Sequence, residues 1–552
     1  MPNDQGNQKN SSSQTNSQPA NKDTKYIFVT GGVLSGLGKG LVSASISKLL
    51  QQKSYTVTPV KCDGYLNVDP GTMNPEEHGE VYVLADGTEV DMDFGHYERF
   101  LNIETRGEWN LTSGKIFNQV INKEREGDYL GETVQMVPHV TNTIKDKLTQ
   151  PEGAEDSDII TVEIGGTVGD MENMLYLETQ KQIQEQLPDD QTYHIHVTLV
   201  PYLETVGEQK TKPTQHSVKE LRETGLNPDM IVGRSTKELQ KGVKEKISLF
   251  CDVKEQEVIS NPDLKTIYEI PLKFKEQNVH NIISRKLNLN AKKPNLKKWE
   301  NQVENLKNGE KIAEVAIAGK YTGMDDTYAS IEEALKHATA QQGGNIQIDY
   351  RDTSSSDYDP EKLENFDAVI IPGGFGKRGI DGKIETARYC RENNIPLLGI
   401  CLGLQIMAIE YARNQLGITG ATSAEFSDLE GHQTEIITKM EGQKDVEKMG
   451  GSMRLGNYAA RLEDEMKHIF GEKMIQERHR HRYELKPEFR EKLNREGLKT
   501  QAENPKTGLC EMINQQNHLF YKGTQSHPEF KSSFDEPHPL FAKLVEKAQK
   551  TR

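Results

Sequence analysis

Two stretches of this chain have residue types at spacings suited to chemistry on phosphates. In GGVLSGLGKG, residues 31–40, glycines surround Lys39 between a short apolar run at 26–30 and a helically spaced stretch at 41–52. The backbone amides of such a loop and the N-terminus of the following helix can surround phosphate oxygens, and Lys39 supplies a fixed positive charge. The loop departs from the usual Walker spacing: five residues separate Gly32 from Gly38, and Gly40 stands where a Ser or Thr would hold magnesium. Another segment must therefore bind the metal. Asp91 and Asp93 in VDMDFGHYERF, and Glu163 at the end of DIITVEIGG, offer hard oxygen ligands suited to Mg2+ between phosphates. Asp93 with Glu163 is the preferred pair, because a carboxylate closing a buried strand is hard to explain as surface polarity alone. GEQKTKPTQHS, residues 207–217, reads as a loop at a strand's carboxyl end that can clamp a triphosphate.

A third stretch carries a nucleophile. In PLLGICLGLQIMAIEYA an apolar strand runs into a helix with Cys401 at the turn between Gly399 and Gly403. Small neighbours permit a tight elbow that exposes sulfur, and a helix N-terminus favours thiolate. A lone cysteine at an apolar site is ordinarily inert, so partners are required. GTQSHPEF provides His527 as a base and Glu529 to orient it. PGGFGKRG, residues 372–379, provides glycine amides suited to an oxyanion hole. This set can release ammonia from glutamine through a thioester, with Gln405, Glu425 and Arg482 of ERHRHRYE as further substrate contacts.

The elements that must position these groups follow from the apolar pattern. Short apolar runs at 26–30, 56–60, 159–164, 195–200 and 230–232, with helical stretches such as 173–186 between them, predict parallel strands joined by crossovers. The alternation resumes at 314–319, 345–350, 368–372 and 396–400. The expected fold class is α/β with two doubly wound domains, at 25–290 and 312–552. The Lys-rich stretch 291–311 is expected to be a linker. Residues 1–24, rich in Asn, Gln and Ser, are expected to be a disordered tail. A formal charge of −16 leaves no footprint for nucleic acid. The five cysteines show no CxxC spacing, which disfavours a zinc site or disulfide framework and fits a reducing cytoplasm. No run is apolar enough to predict a membrane span or signal peptide.

Together with CDGYLNVDPGTMNPEEHGEV, KEREGDYLGETVQMVPHVT and GKYTGMDD, these motifs occur in an order that resembles the CTP synthases over nearly all of residues 25–552. The resemblance implies a P-loop-type amidoligase domain joined to a class I glutamine amidotransferase domain. It implies ATP phosphorylation of the 4-oxygen of UTP and displacement of phosphate by ammonia from L-glutamine or from solution. By the same resemblance Ser35 contacts UTP and CTP phosphates, and Gly36, Leu37, Gly38, Lys39, Gly40 and Leu41 with Asp93 embrace ATP. Lys39 and Lys61 support phosphoryl transfer, Asp93 and Glu163 hold Mg2+, and Asp170, Met171 and Glu172 recognise inhibitory CTP. Lys210, Thr211, Lys212, Pro213, Thr214, Gln215 and Lys246 bind the pyrimidine nucleotide. Gly374, Leu402, Gly403, Leu404, Gln405, Glu425 and Arg482 bind glutamine beside Cys401, His527 and Glu529. GTP activation and a homotetramer are also implied. The sequence departs from the family pattern at Gly36, Gly64, Leu404 and Ser526, where serine, proline, methionine and an aromatic residue are usual. A cobyric-acid-type amidoligase shares the two-domain plan but not KTKPTQHS or VDPGTMNP. A scaffold that lost activity has no physical need for Lys39, Asp93, Glu163, Cys401, His527 and Glu529 together.

Overall fold

The apolar run that opens the first domain becomes a strand, Lys25–Gly31, buried along almost its whole length because it lies inside a sheet covered on both faces. A computed structural model of the chain describes residues 23–72, 79–320, 327–427, 434–439 and 453–550. The tail expected at 1–24 falls outside them except for Asp23 and Thr24, as do MNPEEH at 73–78 and all of GKYTGMDD after Lys320.

The first sheet has seven strands, ordered Val258–Asn261, Met230–Arg234, Thr192–Leu199, Lys25–Gly31, Ile159–Ile164, Val57–Asp63 and Asn110–Thr112. Every neighbouring pair is parallel. The chain leaves Lys25–Gly31 to build one side of the sheet and later returns to build the other, so a topological switch point lies at that strand's carboxyl end. There the glycine loop begins, followed by helix α1, Lys39–Gln51, and later in the chain by helix α2, Met92–Leu101. Strand ends differ from the sequence expectation by a few residues, because ladder pairing and not apolar content sets them.

The second sheet has nine strands. Asn345–Asp352, Lys311–Gly319, Ala368–Ile371, Leu397–Ile400 and Tyr521–Thr524 are parallel neighbours in that order. Cys510–Gln515, Leu498–Glu503, Arg454–Leu462 and Met474–His481 extend it antiparallel. The second domain is therefore doubly wound in its parallel part only. The antiparallel strands carry many polar residues and leave no apolar run to read.

Two local expectations need revision. The stretch 291–311, expected to be a linker, contains the helix Lys297–Asn308. Its Trp299 is buried among Phe100, Tyr268 and Phe534, with ring centroids 5.4, 5.7 and 4.5 Å away. Burying a large apolar side chain contributes about 3 kcal/mol, enough to dock this segment. The segment expected to be a loop over Lys210–Gln215 instead enters a helix, Lys212–Glu223. Pro213 explains the change, since a proline in the first turn has no amide to leave unsatisfied and a preset φ.

Candidate active sites

At the first site the loop's backbone accounts for several of its glycines. Gly36 and Gly38 have φ of 76° and 81°, a region that side chains disfavour, so glycine at 36 in place of the family's serine has a conformational reason. Lys39 lies back over Gly31, and its Nζ donates to the carbonyl of Gly166 at 2.8 Å. Gly40 resolves the question of the absent hydroxyl. A Cβ there would stand 2.2 Å from Asp93 Oδ1, so the carboxylate from α2 fills the space that a Walker Ser or Thr would occupy.

Lys61, buried at the end of its strand, donates to Asp91 at 3.0 Å and to Asp93, and stands 3.5 Å from Asp63. Burial opposes its charge, yet the surrounding carboxylates outweigh it and hold its pKa well above the ordinary value. Asp93 is held below the usual carboxylate range: Lys61 and His96 outweigh its burial. Glu163 receives the hydroxyl hydrogen bond of Tyr97, but burial next to Asp93 pushes its carboxyl up to about 8. Among the described residues no group of three or more His, Cys, Asp or Glu side chains is arranged to hold a metal ion alone. Two carboxylates, Asp93 and Glu163, are oxygen donors of the kind that Mg2+ accepts. The oxygen-only donor set fits that ion, and the raised Glu163 carboxyl is the mark of a site short of positive charge.

The other residues expected to contact nucleotide are placed as follows. Ser35 is exposed in the loop. Thr211 and Thr214 are buried, and Thr214 donates to the carbonyl of Leu199 at 3.1 Å. Lys210 pairs with Glu208 at 2.7 Å and Lys212 with Gln215 at 3.0 Å. Lys246, on the exposed helix Lys241–Cys251, is near enough to reinforce Lys210 in lowering the Glu208 carboxyl. Asp170 caps Thr167 at 3.1 Å, and Met171 is 86% exposed. A Cβ on Gly64 would approach Glu172 Cβ to 2.6 Å, so the residue that replaces the family's proline packs against this turn. Sequence reasoning missed a cleft beside Leu37, Gly38 and Leu41, walled by Arg234, Asn261, Pro262 and Ile267. Arg234 closes a strand two places from Lys25–Gly31 in the sheet, and its position at a carboxyl strand end is the signal that marks it.

At the second site, Cys401 links the strand Leu397–Ile400 to helix α3, Leu402–Asn414, with φ 54° and ψ −103°. This strained turn depends on its glycines. A Cβ on Gly403 would meet the Ile371 carbonyl at 2.3 Å, and one on Gly399 would meet Met407 at 2.4 Å. Gly373 faces both reacting side chains, with its Cβ position 3.0 Å from the His527 ring and 3.5 Å from Cys401 Cβ. His527 Nδ1 and Glu529 Oε1 are 2.7 Å apart. Burial disfavours an imidazolium, but Glu529 and Cys401 outweigh it and raise His527 to about 10, so the ring carries its proton at neutral pH. Glu425 accepts the amide of Gly376 at 2.7 Å and has Arg482 near it; its burial raises its carboxyl. Gln405 Nε2 donates to the carbonyl of Tyr483 at 3.1 Å. Leu402 Cδ2 lies 4.0 Å from the Cβ position of Gly374, while Leu404 is wholly buried behind the elbow. Gln525, which the sequence did not single out, points its amide at Cys401 Sγ from 3.8 Å.

A cavity of about 200 Å3 lies over Cys401, lined by Gly374, Phe375 and His527 and, from the first domain, by Glu80 and Val81. The first residues of ERHRHRYE, 477–481, end the strand Met474–His481. Strand alternation sends Arg478 and Arg480 to Glu98 and Glu89 of the first domain, at 2.6 and 2.8 Å, while His479 and His481 turn toward Arg454, Glu484 and Glu511.

The sequence is similar to known proteins along nearly its whole length. Residues 25–289 match the profile of the family described as CTP synthase N-terminus, and residues 324–547 match that of glutamine amidotransferase class-I. A protein called CTP synthase from Aquifex aeolicus is 49% identical over 523 residues, 94% of this chain and 98% of its own. Another of that name, from Carboxydothermus hydrogenoformans, is 47% identical over 532 residues, 96% of this chain and 99% of its own. The solved glutaminase domain of Trypanosoma brucei CTPS with bound acivicin is 32% identical, with a TM-score of 0.40, covering 43% of this chain and 94% of that one. With both family profiles in their order and near full-length relatives at almost half identity, the chain belongs to the CTP synthases, glutamine-hydrolysing ligases of an α/β amidoligase domain and a class I amidotransferase domain.

Proposed function

We propose that this chain converts UTP to CTP with ATP and glutamine-derived ammonia, through a UTP phosphorylated on its 4-oxygen. The observation that carries the reading is the cavity over Cys401, whose wall is completed by Glu80 and Val81 of the phosphate-binding domain. Ammonia released there emerges against the domain that consumes it.

In the second domain the Cys401 sulfur attacks the amide carbon of glutamine, His527 gives its proton to the departing ammonia, and water then cleaves the thioester to glutamate. The preset turn and the 2.7 Å Glu529 contact hold the two reacting groups in register. In the first domain the γ-phosphoryl of ATP passes to the 4-oxygen of UTP and ADP leaves. Ammonia then adds at C4, and the C4–O bond breaks to release phosphate. Lys39 and Lys61 balance charge on the transferring group. Asp93 and Glu163 would hold Mg2+, which when bound neutralises phosphate charge. The purine of ATP suits the cleft at Arg234 and Asn261.

Ser35, residues 210–215 and Lys246 take the pyrimidine nucleotide, with Asp170, Met171 and Glu172 reading CTP as a feedback inhibitor, while GTP activates. Exposed Met171, Met174, Leu249 and Phe250 support contacts between subunits of a homotetramer. A cytoplasmic setting agrees with five free cysteines and with the absence, among the described residues, of any helix long and apolar enough to cross a membrane. The test is CTP formation from UTP, ATP and Mg2+ with either glutamine or ammonia. Product from both supports the reading, and product from neither overturns it.

A further inference from the structure

Two side chains that take no part in the chemistry proposed above, Glu98 and Arg478, meet in the interior between the domains. Arg478 grips Glu98 through both terminal nitrogens, Nη1 to Oε2 at 2.6 Å and Nη2 to Oε1 at 3.2 Å. Nη1 also reaches the carbonyls of Val83 and Phe530, each at 3.2 Å. The Tyr82 hydroxyl lies 2.7 Å from Glu98 and 2.6 Å from the Phe530 carbonyl. The other oxygen of Glu98 accepts the amide and hydroxyl of Thr105 at 2.7 and 2.9 Å.

Each end of this pair leads to a reacting group. The main-chain carbonyl of Arg478 accepts the amide of His527 at 2.7 Å. Phe530 stacks on the His527 ring, with centroids 5.2 Å apart and planes 13° apart. Glu98 lies on α2, whose first turn carries Asp93. They are five positions apart, about 7.5 Å along a rigid helix. A well-packed apolar contact would join the domains as firmly, since burying two charges costs desolvation. What a bidentate pair adds is a fixed mutual geometry.

Resting on the function proposed above, we propose that Glu98 and Arg478 are positioning residues that tie the orientation of His527 to the occupancy of the Asp93 site, so that glutamine is hydrolysed fastest when nucleotides fill the first domain. Phosphates and a cation arriving at Asp93 redistribute its contacts with Lys61, and α2 moves as a unit. Glu98 carries that movement to Arg478, and Arg478 passes it to the 527–530 turn through the two carbonyls named. This is a coupling between two sites through one shared element, α2, whose position the ligands at both sites bias.

The experiment compares the full-length chain with Glu98→Gln and Arg478→Lys, measuring glutamate release with and without ATP, UTP and Mg2+, and CTP formation from ammonia. Nucleotide stimulation of glutamate release should fall about tenfold, in kcat and not in the KM for glutamine, with ammonia-driven synthesis held within about twofold. Unchanged stimulation, or parallel loss with both nitrogen sources, overturns the proposal. If a single variant does not fold because one charge is left buried, the Glu98→Leu/Arg478→Met double variant leaves neither charge and should show the same loss; full stimulation in it also overturns the proposal. An unaltered chain that makes no CTP from ammonia would instead overturn the function, and one that makes CTP without stimulated hydrolysis would overturn the coupling alone.

Discussion

The two reacting centres are built on opposite plans. In the first domain Lys61 is shared among Asp63, Asp91 and Asp93, and Lys39 leans on a backbone carbonyl, so the charges meant for ligands neutralise one another. In the second domain Cys401 already occupies its strained turn and His527 already holds Glu529. A site for a polyanion and a cation must remain able to exchange partners, whereas covalent attack depends on groups that need not move. Strain of about 1–3 kcal/mol at the elbow is tolerable because glycines at 399 and 403 let neighbouring strands and α3 close around it.

The sharpest way to break this comparison is Cys401→Ala. Glutamine-driven CTP formation should fall at least about a thousandfold, with ammonia-driven formation intact, when followed by product absorbance. Loss with both nitrogen sources would mean that the two centres do not divide the work. Asp93→Asn probes the other side. CTP formation from both sources should fall about a hundredfold, while basal glutamate release in the absence of nucleotide persists. Gly40→Ala comes next, because its new methyl overlaps Asp93 Oδ1. The apparent affinity for ATP should weaken about thirtyfold even though alanine favours the helix by up to about 1 kcal/mol, as measured by ATP titration alongside thermal unfolding.

What could be read from sequence was whatever lies close along the chain. The glycine loop with Lys39, the Gly399–Cys401–Gly403 elbow, and His527 two residues before Glu529 each carry their own partners, so local spacing exposes them. The absent hydroxyl at Gly40 even signalled that a remote carboxylate was needed. The carboxylate in that space, Asp93, comes from α2, which packs against α1 from more than fifty residues downstream. Arg478 and Glu98 stand 380 residues apart, and nothing local in ERHRHRYE marks which of its arginines face another domain. The helix Lys297–Asn308 was hidden for a related reason: its buried face is narrow, centred on Trp299 and Val303, and takes its meaning from Phe534 far downstream. Lys212–Glu223 shows the same error for another reason: its polar residues read as a loop although Pro213 opens a helix.

The finest test of the comparison is pH. Burial beside Asp93 raises the Glu163 carboxyl to about 8, so in the cation-free protein it keeps its proton below that value and must release it to bind metal. Apparent affinity for Mg2+ at saturating ATP should therefore drop as pH falls below about 8, approaching about tenfold per unit, in calorimetric titrations from about pH 8.5 down to about pH 6.5. Stability of the ligand-free protein runs the opposite way, falling as pH rises. A folded value raised above the ordinary 4.5 contributes stability that is complete below about 4.5 and lost as pH climbs through about 8, so the ligand-free first domain should unfold more easily at the alkaline end. His527, raised to about 10, titrates above this window, and glutamate release without nucleotide should be nearly flat across it. Equal pH responses at the two centres would mean that Glu163 is not the group awaiting charge, and that the first site is as fully assembled before its ligands arrive as the second.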